Sequence, residues 1–427
     1  ILILKKIIMK QHIQTLKAIA TVVVFACIFQ SCLKDTVTEK YTFYRPIYKT
    51  KEAVMNNIKS GAAQAIKQTG KLFIKDNFVF LNDVNRGVHI LDYTNPTQPI
   101  KVAFIDIPGN VDMAVRGNIL YVDCFTSLIA LDISNPLNVQ KTTILNGVFP
   151  HRAYYGFQQD TSLIITEWQR VDTVIKRNYN NDNQMLFDGI SIQTFNGGSL
   201  TSSASTSNGV GGSMARFGLL NNRLYTVSNS DIKVFNTTIA ATPTFVNTVA
   251  TGVFDIETIF PFSNNLFLGS NTGMHIFSVA NPNTPTKTGT FVHARVCDPV
   301  IADNNFAYVT LRSGSTCQGF NNQLDVVDIN NISNPTLLKS YPLKNPHGLS
   351  KDGNTLFICD GSDGLKIFDA ANASNITLLK TISNLDTYDV IAMNGYALVV
   401  AKNGLHCIDY RNMNDIKLIS TVSITQQ

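Results

Sequence analysis

The chain has 427 residues, a formal net charge of +5 and only 15% charged residues. Much of the positive excess sits in the first 20 residues, so a nucleic-acid role has little support. The length suits one large repeat array or two to three ordinary domains, and the abundant Asn, Thr and Ser suit a turn-rich β protein open to solvent.

Residues 1–32 read as a targeting segment. Lys5, Lys6, Lys10 and Lys17 form a basic region, and Ala18–Phe29 is an apolar run too short to span a bilayer as a stable helix. The run ends in Phe29-Gln30-Ser31-Cys32, which resembles a bacterial lipobox, where a small residue precedes a lipidated Cys that becomes the mature N-terminus. Phe29 departs from the usual Leu or Val. The alternative is an ordinary secretory signal with an incidental Cys, and Met9 is a second candidate start. A lipid on Cys32 would anchor the chain without a transmembrane helix. Of the remaining Cys, Cys297 and Cys317 flank one expected hairpin and are a candidate disulfide in an exported protein. Cys359 and Cys407 lie in apolar strand patterns and read as buried thiols.

Residues 33–70 read as a tether and lead-in, with a faint helical pattern over Glu52–Lys67 that Gly61 interrupts. The repeat begins at Lys71 and runs to residue 427. Its marker is a short alternating strand that ends in a polar residue: Val88–Asp92, Leu128–Asp132, Ile232–Asn236, Met274–Ser278, Leu324–Asp328, Leu365–Asp369 and Leu405–Asp409. The terminal residues are spaced by 40, 104, 42, 50, 41 and 40. A period near 40–45 with four short strands per unit is the signature of a β-propeller blade. In one unit, Asp112–Arg116 is the expected inner strand, Ile119–Asp123 the second, Leu128–Asp132 the third and Val139–Leu145 the outer one. Gly117-Asn118 and Asn135-Pro136 fall at the turns.

Ser313–Asn322 lengthens one inter-strand loop and accounts for the spacing of 50. In the 104-residue gap, His151–Phe157 and Leu163–Glu167 resemble the first two strands of a degenerate blade. A flexible, exposed low-complexity insertion follows at about 178–213, rich in Asn, Gly and Ser. The expected fold is therefore all-β: a propeller with seven complete repeats plus one degenerate blade, or seven blades with 148–213 as an excursion.

The repeat resembles the LVIVD repeat of bacterial and archaeal cell-surface proteins. Phrases such as GNVDMAV, DIETIFPF, CDPVIAD, NPHGL and LFICDGSDGLKIFD are similar to those of LVIVD-repeat lipoproteins of Bacteroidetes-type bacteria, over about residues 41–425. That resemblance implies a lipid-anchored propeller on the outer membrane or cell surface. It implies no particular activity.

The start of the inner strand is where blades converge on the central channel. Read in successive units, that position holds Asp112, Arg216, Glu257, Asp298, His347 and Asp389, joined by His151 and Arg152 if the degenerate blade forms. Converging carboxylates with an Arg and a His suit a bound cation or polar ligand. They equally suit hydrogen bonds to adjacent-blade loops. No other cofactor is expected. A second set follows the second strand: Asp123, Arg312, Asp360 and Asp363. Asp360-Gly361-Ser362-Asp363-Gly364 has a distant look of a calcium loop, but an Asx turn explains it as well. HExxH, GxSxG and phosphate-binding glycine loops are missing from the sequence. Ser350–Phe357 is a near miss to a sialidase Asp-box, at an expected turn, and Trp168 is the only Trp. The reading is a binding or scaffolding module for a surface protein, glycan or ion. Its rival is a hydrolase or lyase using carboxylates at the channel mouth.

Overall fold

The computed structural model describes residues 9–10, 12–21, 36–151, 162–178, 201–202, 210–293, 299–313 and 322–424. Seven four-stranded antiparallel blades form a β-propeller, spanning 69–106, 113–145, 217–250, 256–292, 300–342, 349–382 and 387–423. They are numbered 1 to 7 here in chain order. The boundaries follow local chemistry. In blade 2 the strands are Met113–Arg116, Ile119–Cys124, Ser127–Asp132 and Gln140–Leu145. The first turn places Gly117 at φ 56°, a conformation that favours glycine.

The marker strand is the third strand of every blade, and its last residue does the same job seven times. Asp92, Asp132, Asn236, Ser278, Asp328, Asp369 and Asp409 each accept the N–H two residues ahead, at 2.7–3.2 Å. That side-chain turn reverses the chain toward the outer strand. Each third-to-fourth pairing also carries a register shift just inside the turn, for example between Ile367 and Phe368 or between Cys407 and Ile408. Such a bulge adds right-handed twist, which a propeller blade needs.

A second Asp acts at the opposite end of the blade. Asp123 Oδ1 accepts the N–H groups of Val111 and Asp112, each at 2.8 Å, and the Asn110 side chain. Asp83 does this for Lys67 and Gln68, and Asp360 for Lys344 and Asn345. In each case the end of a second strand holds the segment entering its own inner strand.

Neighbouring blades are stitched through the third-to-fourth turns. Tyr121 Oη donates to the Ala240 carbonyl at 2.7 Å, and Tyr225 Oη to that of Pro282 at 2.9 Å. Lys339 Nζ reaches Ser374 O at 2.9 Å, and Lys380 Nζ reaches Ile416 O at 2.6 Å. Between blades 4 and 5 the backbone comes so close that a Cβ on Gly289 would strike the Ile332 carbonyl. The ring closes in the same style, with Ser420 Oγ on Pro96 O at 2.6 Å. Blades 1 and 7 are each built from contiguous chain, so closure rests on packing rather than strand exchange. Leu72, Leu81 and Leu91 pack there with Ile391, Val400 and Leu405.

Two expectations for the gap need correction. No eighth blade forms among the described residues. Leu163–Glu167 begins a long strand, Leu163–Asn178, that pairs with Thr36–Thr50 in a two-stranded ribbon. The physical reason is length: at 16 residues this strand far outruns the second strand of a blade, and it finds a partner of matching length in the 15-residue Thr36–Thr50. Most of the ribbon belongs to a separate compact unit, where Thr42 Oγ1 donates to Asp172 Oδ1 and Arg45 to Gln169. His151 is exposed, and Arg152 lies outside the described residues. The end of the expected flexible, exposed insertion is instead a buried strand. Val210–Ser213 pairs with the inner strand of blade 1 through Val210–Ile74 and Gly211–Phe73, and pairs on its other edge with Thr201–Ser202.

The lead-in also contributes to the fold. Lys51–Asn56 is a helix capped by Thr50, and it buries Val54 and Met55 against blades 1 and 2. Lys59–Ala62 then adds an outermost strand to blade 1, so the expected longer helix ends well before Lys67. Among the described residues no helix is long and apolar enough to cross a membrane. Cys32, Cys297 and Cys317 lie outside the described residues, whereas Cys124, Cys359 and Cys407 are buried.

The two Asp positions should separate in stability measurements. Asp369→Ala removes one exposed turn bond and should cost about 1 kcal/mol in urea unfolding followed by circular dichroism. Asp123→Ala strands several buried donors and should cost about 3 kcal/mol or more, with Asp123→Asn in between. Equal losses at the two positions would contradict the assignment.

Candidate functional site

The inner strands converge at one end of the ring and bring together most of the side chains expected there. Asp112 is buried at 2% exposure and fully engaged. It accepts Lys71 Nζ at 2.6 Å and the Arg216 and Met113 N–H groups, each at 2.7 Å. Lys71 is the inner-strand residue of blade 1, and the sequence reading passed over it. Reading Gly70-Lys71-Leu72 in the register of Val111-Asp112-Met113 would have found it. Burial pushes the Lys71 ammonium below its ordinary value, and the Asp112 carboxylate opposes that.

Asp389 is packed tighter still. A Cβ at Gly212 would collide with its Oδ2, and one at Gly348 with its Oδ1. Its Oδ2 has no hydrogen-bond partner. Burial drives its carboxyl well above the usual carboxylate range, against the Val390 N–H and the Lys71 charge. Gly212 belongs to the strand Val210–Ser213, and Ser213 Oγ next to it accepts the Leu349 N–H of blade 6. This strand is thus hydrogen-bonded to blades 1 and 6 and presses on blade 7, so it occupies the channel inside the ring of inner strands. Only glycine leaves room for a strand at that distance.

The remaining belt residues are less committed. Arg216 donates to Ile256 O at 3.1 Å and to Asn229 at 3.2 Å, while its Nε is buried without a partner. Glu257 and Arg312 face each other electrostatically. Burial raises the Glu257 carboxyl and lowers the Arg312 guanidinium, and each charge opposes the other's shift. His347 is 6% exposed, its Nδ1 has no partner, and its ring stands edge-on to Tyr388 with centroids 5.4 Å apart. Burial, aided by Arg312, pushes its imidazole down to about 3, so it is neutral at physiological pH. Asp298 lies outside the described residues.

The second sequence-predicted set does not join this belt as a unit. Asp123 and Asp360 are the structural anchors described above. Lys366 Nζ sits 2.6 Å from both Asp360 and Asp363, and Lys344 Nζ is 2.5 Å from Asp363, so two cations already hold the loop that had the look of a calcium site. Burial works to lower the Lys366 ammonium, but those carboxylates hold it above its ordinary value. Among the described residues no group of three or more His, Cys, Asp and Glu side chains could hold a metal ion. Of this set, Arg312 acts on Glu257 and His347 of the belt, and Asp123 on Lys71 and Arg216. In the near-miss Asp-box, Gly353 takes φ 54° at the first turn of blade 6, and Asp352 accepts Tyr410 Oη at 2.5 Å. Both serve the fold.

A further polar set escaped the sequence reading because it sits inside the marker strand itself. His89, His275, Lys366 and His406 occupy its second position. They contact Asp83 at 3.1 Å, Ser270 at 3.2 Å, Asp360 at 2.6 Å and Asn403 at 2.8 Å, respectively. Burial pushes His275 down to about 4. The recurrence of His at one strand position was the available signal.

The LVIVD repeat family matches residues 67–106, 109–140 and 297–342, which coincide with blade 1, most of blade 2 and blade 5. The chain is thus a seven-bladed propeller carrying LVIVD repeats. No curated protein matches the sequence. Similar solved structures include the computationally designed Ika8 protein, at 9% identity over 85% of this chain and 90% of that one, with a TM-score of 0.49. PorZ, a bacterial surface component of the type-IX secretion system of Porphyromonas gingivalis, is 14% identical over 86% of this chain but only 40% of its own, with a TM-score of 0.49. BamB from Moraxella catarrhalis is 11% identical over 85% and 89% of the two chains, with a TM-score of 0.43.

The burial of Asp389 gives a pH-dependent test. A carboxyl whose folded pKa lies above its unfolded value favours the fold below the unfolded value, and that contribution is lost as pH climbs through the folded one. Asp389→Asn should therefore raise the melting temperature at pH 7–8 by about 2 °C. The difference from the parent should vanish near pH 4. A variant that melts lower at pH 8 would show that the charged form is favoured.

Proposed function

We propose that this protein is a lipid-anchored, surface-exposed propeller that acts as a binding or scaffolding module, presenting the loops around the channel mouth to a surface protein or glycan. One observation carries the reading: a strand of the chain itself fills the channel, with Asp112 bonded between blades and Asp389 packed against that strand. Asp112 accepts three donors, and Asp389 is clasped between Gly212 and Gly348. A hydrolase or lyase needs an acid and a base within reach of a substrate; Asp112 and Asp389 are both taken, which leaves Glu257 without a second uncommitted carboxylate among the described belt residues. A rigid ring with projecting loops suits recognition instead. Phe254, in the loop entering blade 4, is 75% exposed on the face where Glu257 lies, which suits an apolar contact with a partner.

The anchor and the binding face are tested separately. Cys32→Ala should abolish metabolic labelling with radioactive palmitate and move the protein from the membrane to the soluble fraction. Unchanged labelling would remove Cys32 as the lipid site. For the face, a photo-crosslinking residue at position 254 should give a discrete adduct on intact cells. The same residue at Leu378, exposed on an outer strand, should give none. Equal adducts at both positions, or none at 254, would count against the mouth as the recognition face.

A further inference from the structure

The belt holds one place where charges are present but not spent. Neither the Glu257 carboxyl nor the Arg312 guanidinium makes a hydrogen bond or an ion pair among the described residues, although each is the other's electrostatic neighbour. They sit on adjacent blades, at the start of the inner strand of blade 4 and just past the second strand of blade 5. Next along the ring comes His347 of blade 6, nine-tenths buried with an unpartnered Nδ1, its backbone fixed by Thr310 Oγ1 on the His347 carbonyl at 2.7 Å. The Arg312 charge acts on its ring. Tyr388 of blade 7 stands edge-on to the His347 ring, and its hydroxyl has only a long 3.4 Å contact with Asp386. On the other side of Glu257, Arg216 presents a buried Nε with no partner. Every other ionisable belt group among the described residues is engaged or packed, as Lys71, Asp112 and Asp389 are.

Buried polar atoms without partners are costly, and two of them, Arg216 Nε and His347 Nδ1, flank the half-buried, uncommitted charges of Glu257 and Arg312. The geometry points to a small-molecule site on this arc for a carboxylate that bears a hydroxyl or amino group on the adjacent carbon. The planar guanidinium of Arg312 matches a carboxylate in two parallel hydrogen bonds. Glu257, its electrostatic neighbour on the adjacent blade, accepts from the hydroxyl or ammonium. The neutral His347 ring offers one more polar contact through Nδ1, and the Tyr388 hydroxyl another. A simple ammonium ligand would leave Arg312 unanswered, and a bare acetate would leave Glu257 unanswered. This assignment rests on the binding-module reading and adds a ligand class to the same face.

The test is isothermal titration calorimetry on the full chain in detergent, with sodium L-lactate, L-alanine, acetate and L-alaninamide as probes. L-lactate or L-alanine should bind at least tenfold more tightly than acetate, and L-alaninamide should not bind. Arg312→Gln should weaken binding by about 10- to 100-fold, the worth of a charge-assisted hydrogen bond. The variant should stay folded, as circular dichroism checks, although Arg312 no longer offsets the burial of Glu257. Glu257→Gln should reduce the preference over acetate to within about threefold. No heat with any carboxylate up to about 10 mM would overturn the proposal, as would an Arg312→Gln variant that binds like the parent. Loss of the position-254 adduct with carboxylate binding retained would remove the surface-module reading and keep this site. The reverse would remove this site alone.

Discussion

The fold depends on one small interaction repeated around the ring: the last side chain of each third strand accepting the N–H two residues ahead. Each such bond contributes only about 1 kcal/mol. Its larger effect is geometric. It fixes the turn that returns the chain to the outer strand, and the carbonyls of that turn are the acceptors that the preceding blade grips through Tyr121, Tyr225, Lys339, Lys380 and Ser420. A turn that positions its own blade therefore also positions the interface with the next. This coupling lets seven short sheets of modest individual stability close into one cooperative ring, with the seam between blades 7 and 1 sealed by the same kind of contact.

The opposite end of the blades follows a different logic. There the Asp at the end of the second strand holds the incoming loop, and the inner strands deliver charged residues to the axis. A channel lined by charge is costly to bury. The chain meets that cost in two ways. Lys71 and Asp112 neutralise each other directly, and Asp389 favours its protonated form beside a strand that has no side chain at Gly212. The occupied axis shifts attention from the centre of the channel to the arc of blades 3 to 7, where Arg216, Glu257, Arg312, His347 and Tyr388 keep unused hydrogen-bonding capacity.

Much of this was legible in the sequence because the relevant signals are local. Alternation in Leu365–Asp369 and its relatives, the polar residue that ends each, and turn residues such as Gly117-Asn118 follow from steric and hydrogen-bonding rules that act over a few residues. The convergence of Asp112, Arg216, Glu257, His347 and Asp389 followed from the period alone. Lys71 was missed because the first unit was not read in register with the rest. The His residues inside the marker strands were missed because a strand position with no obvious motif gives no warning that it meets a polar partner inside the blade.

What the sequence determined by itself was the blade, its turns and the count of full repeats, since each is set by contacts within about 40 residues. Only the tertiary structure decided the fate of the long gap. Leu163–Glu167 looks like a blade strand in isolation, yet it pairs with Thr36–Thr50, far away in the chain. Val210-Gly211-Gly212-Ser213 looks like linker, yet it is the strand inside the channel. Both outcomes depend on which unpaired strand edge lies close enough in space, and on the room left beside Asp389, and neither quantity is written in local sequence.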